Sequence, residues 1–178
     1  SWLANLGVVG LVYATGMAIQ SNRERNEAHR NALWAALIYA TTALGFLSAG
    51  TVMTDSFLTL GTTLTLASLI MRLRGHSSAW GWGFFAGLAI GLLAKGPLAI
   101  VLTGIPVFVW VVFSRQWRTL WHCLPWITGT AAMLAVVLPW YVRAELKTPG
   151  FLDYFIVGEH IKRFIVRNWH GDLYGDAH

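Results

Sequence analysis

The stretch of sequence that decides the fold is AWGWGFFAGLAIGLLAKGP, residues 79–97. It contains an apolar run over residues 79–94, which ends in a Lys-Gly-Pro turn. Three glycines recur every four residues in this run: Gly83, Gly87 and Gly91. This spacing places them on one stripe of a helix, where a neighbouring backbone can approach closely, and Lys95 continues the stripe. The stretch therefore predicts a tightly packed membrane helix with a cation at its end.

Similar apolar runs fill most of the chain. The 178 residues are 56% hydrophobic and only 12% charged, with ten tryptophans, which is too apolar for an ordinary soluble domain. Most of the runs approach the roughly 20 residues needed to cross a bilayer; they are Trp2–Gln20, Ala32–Ala49, Ser56–Met71, Ala79–Ala94, Pro97–Phe113 and Leu120–Val142. We predict an all-α, polytopic transmembrane helix bundle of six spans. The alternative for the fourth and fifth runs is a single long kinked or re-entrant element, because only a turn separates them.

Arginine in the connections predicts the orientation of the bundle. Three connections carry it: Arg23, Arg25 and Arg30 in the first, Arg72 and Arg74 in the second, and Arg115 and Arg118 in the third. Positive residues favour the cytoplasmic side, so these loops are predicted to be cytoplasmic and the alternate turns extracytoplasmic. The net charge of +5 largely reflects this bias and calls for no nucleic-acid partner.

The chain divides into two predicted parts. Residues 1–142 form a transmembrane helix bundle, and residues 143–178 form an extracytoplasmic interfacial loop and helix. From Phe151 onward the pattern is amphipathic, which is typical of a helix that lies along the membrane. Glu159, Arg163 and Arg167 follow one another at every fourth position, for which a solvated, salt-bridged face is the alternative to a functional one. The chain lacks an initiator methionine and ends in a polar stretch, so we expect it to be a piece of a longer protein.

Three charged groups stand where apolar runs end: Asp55, Lys95 and Arg163. The span count places all three on the same side of the membrane, where a carboxylate, an ammonium and a guanidinium can surround one phosphate. The alternative for Asp55, or for Thr54 before it, is a helix cap that satisfies the first free amides. For Lys95 the alternative is a side chain that extends to the interface.

Metal and thiol chemistry are weakly indicated. His160 and His170 lack a partner of the HExxH type, so they are a weak metal signal. Cys123 is the only cysteine. It excludes an internal disulfide and is expected to be a small core residue in the sixth span.

Several motifs, in matching order and spacing, resemble those of the bacterial aminoarabinose transferase and protein O-mannosyltransferase superfamily. They are Thr54-Asp55, the run from Gly91 to Pro97, Pro139-Trp140-Tyr141, Phe151-Leu152-Asp153-Tyr154-Phe155, Glu159-His160-Ile161-Lys162-Arg163-Phe164 and the closing residues 171–178. The resemblance implies a multi-span GT-C glycosyltransferase of the bacterial inner membrane. Such an enzyme transfers a sugar, with inversion, from a polyprenyl-phosphate donor at the extracytoplasmic face. The acceptor would be lipid A, a protein hydroxyl or another envelope glycan.

The resemblance also implies roles for particular residues. Asp55 matches a second acidic position of the family, a supporting carboxylate, while the main base lies upstream of Ser1. Lys95 and Arg163 would bind the donor phosphate, with Glu159 and His160 in an active-site loop. His160 matches a position that in some relatives holds a divalent metal, so metal use stays open. Because the base lies upstream, we expect the isolated chain to bind polyprenyl phosphate weakly and to transfer no sugar.

Two other classes of protein remain open. In a transporter or ion-translocating subunit, Asp55 and Lys95 would form a buried pair, and the glycine stripe would permit helix movement. Against this, the ionisable groups stand at the ends of spans and the sequence shows no inverted repeat. The third class is a noncatalytic membrane scaffold or lipid-binding subunit.

Overall fold

The protein folds as a bundle of helices. The computed structural model describes residues 1–42, 54–162 and 165, with the backbone alone at 159–162. Its helices are α1 Trp2–Ile19, α2 Arg25–Thr41, α3 Asp55–Leu73, α4 Ala79–Lys95, α5 Leu98–Ser114, α6 Trp117–Cys123 and α7 Trp126–Lys147, followed by a π-helix at Asp153–Lys162. These described residues contain no β-strand, which confirms the prediction of an all-α fold.

Helix length and composition support the prediction of a membrane protein. Within the described part of the chain, α1, α3 and α7 are long and apolar enough to cross a membrane. The helices α4 and α5 are apolar but shorter, with 17 residues each. They do not form one long kinked helix, because Gly96 between them has a φ of +62°. The chain then folds back, so that Val107 of α5 packs on the cluster that contains Phe84 and Phe85 of α4.

The predicted sixth span, Leu120–Val142, is wrong at its start. The chain forms the short helix α6, leaves helical geometry at Leu124, where φ is −114° and ψ is 142°, and begins α7 at Trp126. The physical reason is Pro125, because a proline ring disfavours the helical conformation of the residue before it. Cys123 therefore lies at the end of α6, half-buried, rather than inside a span.

The second predicted span, Ala32–Ala49, begins earlier than expected. Its helix, α2, starts at Arg25 and ends at Thr41. The remainder of that predicted span, residues 43–49, lies outside the described residues. The helix α2 therefore carries polar residues in its first turns, and it is not among the described helices that meet the length and composition needed for a membrane span.

The arginine-bearing loops meet at one end of the bundle, which we term the arginine end. Arg74 donates a hydrogen bond from Nη2 to the carbonyl of Ile19 at 2.9 Å, which joins the ends of α3 and α1. Arg72 donates from Nε to the carbonyl of Cys123 at 3.0 Å, which joins α3 to the end of α6. These arginines therefore satisfy backbone carbonyls that helix ends leave without an intrahelical partner.

A polar network joins the helices at the opposite end. Asn5 of α1 donates from Nδ2 to Oγ of Ser56, the second residue of α3, at 3.3 Å. The Tyr39 hydroxyl of α2 donates to Oδ1 of Asn5 at 3.1 Å. The helix α3 begins at this end with Asp55, and α4 ends here with Lys95. We term it the Asp55–Lys95 end.

The helices α3 and α4 pack with their backbones in contact, as the glycine stripe predicts. A Cβ placed on Gly87 would lie 2.6 Å from both the Gly61 carbonyl oxygen and the Thr65 amide nitrogen. One placed on Gly83 would lie 2.6 Å from Oγ of Ser68. Real Cβ atoms essentially never come this close to another atom. At Gly87 the close atoms include backbone, so a side chain there would push the two helices apart, whereas at Gly83 the Ser68 side chain would have to move. Close contact fixes the positions of the two helix ends that carry Asp55 and Lys95.

Candidate functional site

An ion pair stands at the Asp55–Lys95 end of the bundle. The Lys95 Nζ atom lies 2.9 Å from Oδ1 of Asp55, and the two side chains are 40% and 55% exposed. The span count correctly places these two residues on the same side of the bundle. Because both side chains remain accessible, an anionic ligand can approach the pair from outside the bundle.

The last turn of α4 holds the backbone of Lys95 in place. The Tyr141 hydroxyl of α7 donates to the Leu92 carbonyl at 2.8 Å, and the Gly96 amide donates to the same oxygen at 2.8 Å. The positive φ of Gly96 then turns the chain out of the helix, a conformation that glycine adopts without steric cost. Lys95 therefore extends from a helix end that is tied to α7 and closed by its own C-cap hydrogen bond.

The start of α3 is held equally well. Ser56 is 1% exposed and accepts the hydrogen bond from Asn5, so the residue next to Asp55 is anchored in the bundle. Thr54 stands at the N-cap position but makes no side-chain capping bond. Asp55 is the first residue of the helix rather than its cap, and its carboxylate pairs with Lys95. As a negative charge in the first turn it also interacts favourably with the helix dipole.

The chain after α7 packs against the turn that follows Lys95. Phe151 and Phe155 stack with their ring centroids 5.2 Å apart, and Phe155 also lies 6.0 Å from the ring of Tyr141. The Phe155 ring covers Gly96 so closely that a Cβ on this glycine would lie 2.7 Å from Cε1 of the ring. These contacts bring the start of the π-helix beside the Asp55–Lys95 pair.

Two backbone hydrogen bonds fix the turn between α7 and this segment. The carboxylate of Glu145 accepts from the amide of Gly150 at 2.9 Å and from the amide of Leu152 at 2.8 Å. Gly150 has a φ of +90°, which lets the chain reverse there. The position of the segment over the Lys95 turn is therefore determined by hydrogen bonds as well as by ring contacts.

The predicted active-site loop is described only in part. The backbone of Glu159 and His160 belongs to the π-helix, while their side chains and all of Arg163 lie outside what the structure describes. The expected α-helical spacing from Phe151 is wrong over Asp153–Lys162, because a π-helix forms i→i+5 hydrogen bonds and winds more widely. Among the described side chains, His, Cys, Asp and Glu form no group of three that could hold a metal. Metal binding at His160 stays a prediction.

The sequence of the chain matches that of a known protein family. The family described as dolichyl-phosphate-mannose-protein mannosyltransferase matches residues 1–155.

The chain belongs to the dolichyl-phosphate-mannose-protein mannosyltransferase family.

Relatives of known name agree with this membership. The chain is 32% identical over 143 residues to an undecaprenyl phosphate-alpha-4-amino-4-deoxy-L-arabinose arabinosyl transferase of Edwardsiella ictaluri, an alignment that covers 78% of this chain and 26% of that protein. The protein of the same name in Pseudomonas aeruginosa is also 32% identical over 143 residues, covering 76% of this chain and 25% of the relative. The one in Aeromonas hydrophila is 29% identical over 146 residues, covering 80% and 26%.

The resemblance to the aminoarabinose transferase and mannosyltransferase superfamily is thus confirmed. The chain spans about a quarter of the length of the curated relatives it matches. No solved structure gives a significant match to it. The matched mannosyltransferase region contains Asp55, Lys95 and Tyr141, and ends at Phe155, before the motif that starts at Glu159.

The position of the ion pair argues against the transporter alternative. Asp55 and Lys95 do pair, as a transporter would require, but both side chains are about half-exposed and both stand at helix ends. Ionisable groups of a transport pathway are expected near the middle of the membrane. The observed pair instead resembles a surface site that opens at one end of the bundle.

Sequence reasoning missed two residues that hold the site. Tyr141 entered the sequence analysis only as part of the Pro139-Trp140-Tyr141 motif, without a structural role, but it is only 9% exposed and bonds to the last turn of α4. Asn5 gave no signal beyond being a polar residue near the start of an apolar run. A polar residue at that depth needs a hydrogen-bond partner, and this requirement is the signal that could have found it.

Proposed function

We propose that the chain is part of an integral-membrane glycosyltransferase of the GT-C type. This enzyme would move a sugar from a polyprenyl-phosphate donor to an acceptor in the cell envelope. The observation that carries the proposal is the accessible Asp55–Lys95 pair at one end of a membrane helix bundle, within the part that matches the mannosyltransferase family. The names of the arabinosyl transferase relatives, which contain undecaprenyl phosphate, support a lipid-linked donor.

The proposed reaction is a displacement at the anomeric carbon. An acceptor hydroxyl oxygen bonds to this carbon while the bond from the carbon to the phosphate oxygen breaks. Polyprenyl phosphate leaves with the bonding electrons, and the proton of the acceptor passes to a carboxylate base. The resemblance assigns that base to a residue ahead of Ser1, so this step needs more than the present 178 residues.

Lys95 would stabilise the leaving phosphate. Charge develops on the phosphate as the sugar departs, and a fixed cation lowers the energy of that state. An ammonium carries three N–H donors and can contact more than one acceptor, so contact with Asp55 and with a phosphate oxygen can coexist. In this arrangement Asp55 is a supporting carboxylate that orients the ammonium. Arg163 would add a second cation, with Glu159 and His160 in the same loop.

The proposed acceptor is lipid A, another envelope glycan or a protein hydroxyl, and the proposed location is the bacterial inner membrane. The active face would be extracytoplasmic, since arginine collects at the opposite end of the bundle. Labelling of single cysteines in intact cells tests the orientation, in a Cys123→Ser background. Labels at Thr54 and Pro149 should react with an impermeant reagent, and labels at Ser77 and Gln116 should not. Reaction at positions 54 and 77 from the same side would contradict the orientation.

Binding of undecaprenyl phosphate to the purified chain tests the phosphate site. Loss of a charged hydrogen bond costs about 1.5–3 kcal/mol, so Lys95→Ala should weaken binding about tenfold to hundredfold. Lys147→Ala is the matched control, because Lys147 is an exposed lysine at the end of α7 on the same end of the bundle. Lys95→Arg should also bind weakly, since a planar guanidinium does not replace a compact ammonium.

Comparison of the Lys95→Ala and Lys147→Ala variants tests whether Lys95 binds the phosphate. Equal and small effects at positions 95 and 147 would leave Lys95 as an interfacial anchor and contradict the phosphate site. Transfer should be measured with the longer protein that contains the chain, where the same Lys95 variants should lose turnover in proportion to their loss of donor affinity.

A further inference from the structure

The arginine end of the bundle presents an aromatic surface. Trp117 and Trp121 stand four residues apart on α6 and are 52% and 67% exposed. Each ring has an aromatic neighbour, because the ring centroids of Trp117 and Phe108 lie 6.0 Å apart in an edge-to-face arrangement and Trp121 stacks on Trp126 with centroids 5.7 Å apart. The seven-residue helix α6 is too short to cross a membrane. Its indole rings therefore lie at the edge of the bundle, each in contact with one other ring and partly exposed.

The same surface is basic, and the described chain of α6 and the loops on either side of it contains no acid. Arg74, Arg115 and Arg118 are exposed around α6 and the loop before α4. No aspartate or glutamate occurs between Asp55 and Glu145, a stretch that the structure describes in full. The charge of these three arginines is therefore not neutralised by any acidic residue of α4, α5, α6 or the loops between them.

The helix α6 is fixed to the bundle at its C-terminal end. Arg72 donates from Nε to the Cys123 carbonyl at 3.0 Å and from Nη1 to the His76 carbonyl at 2.7 Å. A Cβ on Gly81 would lie 2.8 Å from Cδ of Pro125, so α4 packs directly on the break between α6 and α7. This anchoring keeps α6 at the end of the bundle.

An open cavity of about 340 Å³ lies beside the stacked indoles. Its lining includes Trp121, His122, Pro125 and Thr128. The volume lies within the range of small-molecule sites in proteins. The cavity is lined by both apolar and polar side chains, which suits the boundary between a lipid head group and its chains.

We propose that α6 and the adjoining loop form a binding surface for the anionic head groups of bilayer phospholipids. Indole rings favour the depth of the head groups, where one edge is apolar and the other is wet. Guanidinium groups form charge-assisted, often bidentate hydrogen bonds with phosphate. Trp117 and Trp121 would set the depth of α6, while Arg115 and Arg118 would select anionic lipids. This surface is at the opposite end of the bundle from the Asp55–Lys95 pair and does not depend on sugar transfer.

A fluorescent label on α6 tests the proposal locally. Cys123 is the only cysteine of the chain, so a Cys123→Ser, Thr119→Cys protein carries one label. The labelled protein is placed in phosphatidylcholine bilayers that contain either brominated phosphatidylglycerol or brominated phosphatidylcholine, and bromine quenching is measured. We expect stronger quenching by the phosphatidylglycerol. The preference should fall about fivefold for each arginine removed in Arg115→Gln and Arg118→Gln.

A second basic loop provides the matched control. Arg23 and Arg25 are also exposed, but Glu24 and Glu27 stand beside them and repel anionic lipids. Arg23→Gln with Arg25→Gln should therefore leave the lipid preference at position 119 unchanged. A salt titration of the protein without arginine substitutions is a second test, which no folding defect of a variant can affect. Its preference for phosphatidylglycerol should weaken as salt is raised.

Each result bears on the proposal. Equal quenching by the two brominated lipids in the unsubstituted protein would overturn it, as would a preference that salt does not change. An equal loss in the control variant would show a general attraction of positive charge to the membrane, and would overturn a specific surface at α6.

Discussion

Replacement of Gly87 by alanine tests the close packing that positions the candidate site. In the present structure the new Cβ would lie 2.5 Å from Oγ1 of Thr65 and 2.6 Å from the backbone of Gly61 and Thr65. The Thr65 hydroxyl can rotate away, but the backbone atoms of Gly61 and Thr65 cannot move without moving α3. The distance from the new Cβ to these backbone atoms must grow from 2.6 Å to the 3.4 Å of ordinary contact. The helices α3 and α4 must therefore move apart by about 0.8 Å.

The cost of this movement follows from packing. A gap of 0.5–1 Å forfeits about a quarter to a half of the attraction between the atoms on either side. Overpacking of a close contact typically costs about 1–3 kcal/mol. Alanine recovers up to about 1 kcal/mol, because it favours the helix more than glycine does. We expect Gly87→Ala to lower the free energy of unfolding by about 1–2 kcal/mol.

Thermal unfolding of the chain in detergent measures the effect. Gly104→Ala in α5 is the matched control, because a Cβ there has nothing within 4 Å. The control should be neutral or stabilised by up to about 1 kcal/mol. Each kcal/mol corresponds to roughly 2–4 °C in the unfolding midpoint of a protein of this size. The two variants should therefore melt several degrees apart.

The separation should also reach the ion pair, since α3 begins with Asp55 and α4 ends with Lys95. Gly87→Ala should weaken undecaprenyl phosphate binding, and Gly104→Ala should not. Equal melting of the two variants would refute backbone contact between α3 and α4. A large loss of stability with unchanged lipid binding would refute the argument that this contact positions the site.

Two further predictions concern the groups around the pair. A double-mutant cycle with Asp55→Asn and Lys95→Gln should give a coupling of about 0.2–1 kcal/mol in thermal unfolding, because both side chains are about half-exposed; a coupling of several kcal/mol would mean that the pair is desolvated. Tyr141→Phe should cost about 1 kcal/mol, near the mean for one hydrogen bond, because the Leu92 carbonyl keeps its bond from the Gly96 amide. Amide hydrogen exchange over residues 93–96 should rise in that variant, and unchanged exchange would show that the tyrosine hydroxyl does not hold the end of α4.

The meeting of Asp55 and Lys95 could be predicted because it depends on simple counting. Apolar runs of spanning length reverse the direction of the chain, and residues at alternate turns then lie at the same end. The glycine stripe also follows from spacing alone, since residues four apart share a helix face. Such features need no knowledge of which side chains pack together.

The break at Pro125 and the role of Tyr141 could not be predicted in this way. Pro106 and Pro139 stand inside α5 and α7, yet Pro125 separates two helices. The same residue type therefore has two outcomes, and tertiary packing decides between them, here the close contact of Gly81 with Pro125. A hydropathy pattern reports none of these contacts. The π-helical winding after Leu152 is a backbone property that apolar spacing likewise does not report.

The ring of Phe155 over Gly96 makes two distant positions in the sequence depend on each other. Any side chain at position 96 would both strain a φ of +62° and displace the ring, since its Cβ would lie 2.7 Å from the ring edge. A smaller residue at position 155 would leave space that a side chain at 96 still could not enter without backbone strain. Position 155 can therefore accept other residues at the cost of the ring contacts with Phe151 and Tyr141, whereas position 96 accepts none. Across related sequences, we expect position 155 to vary in size against an unchanging glycine at 96.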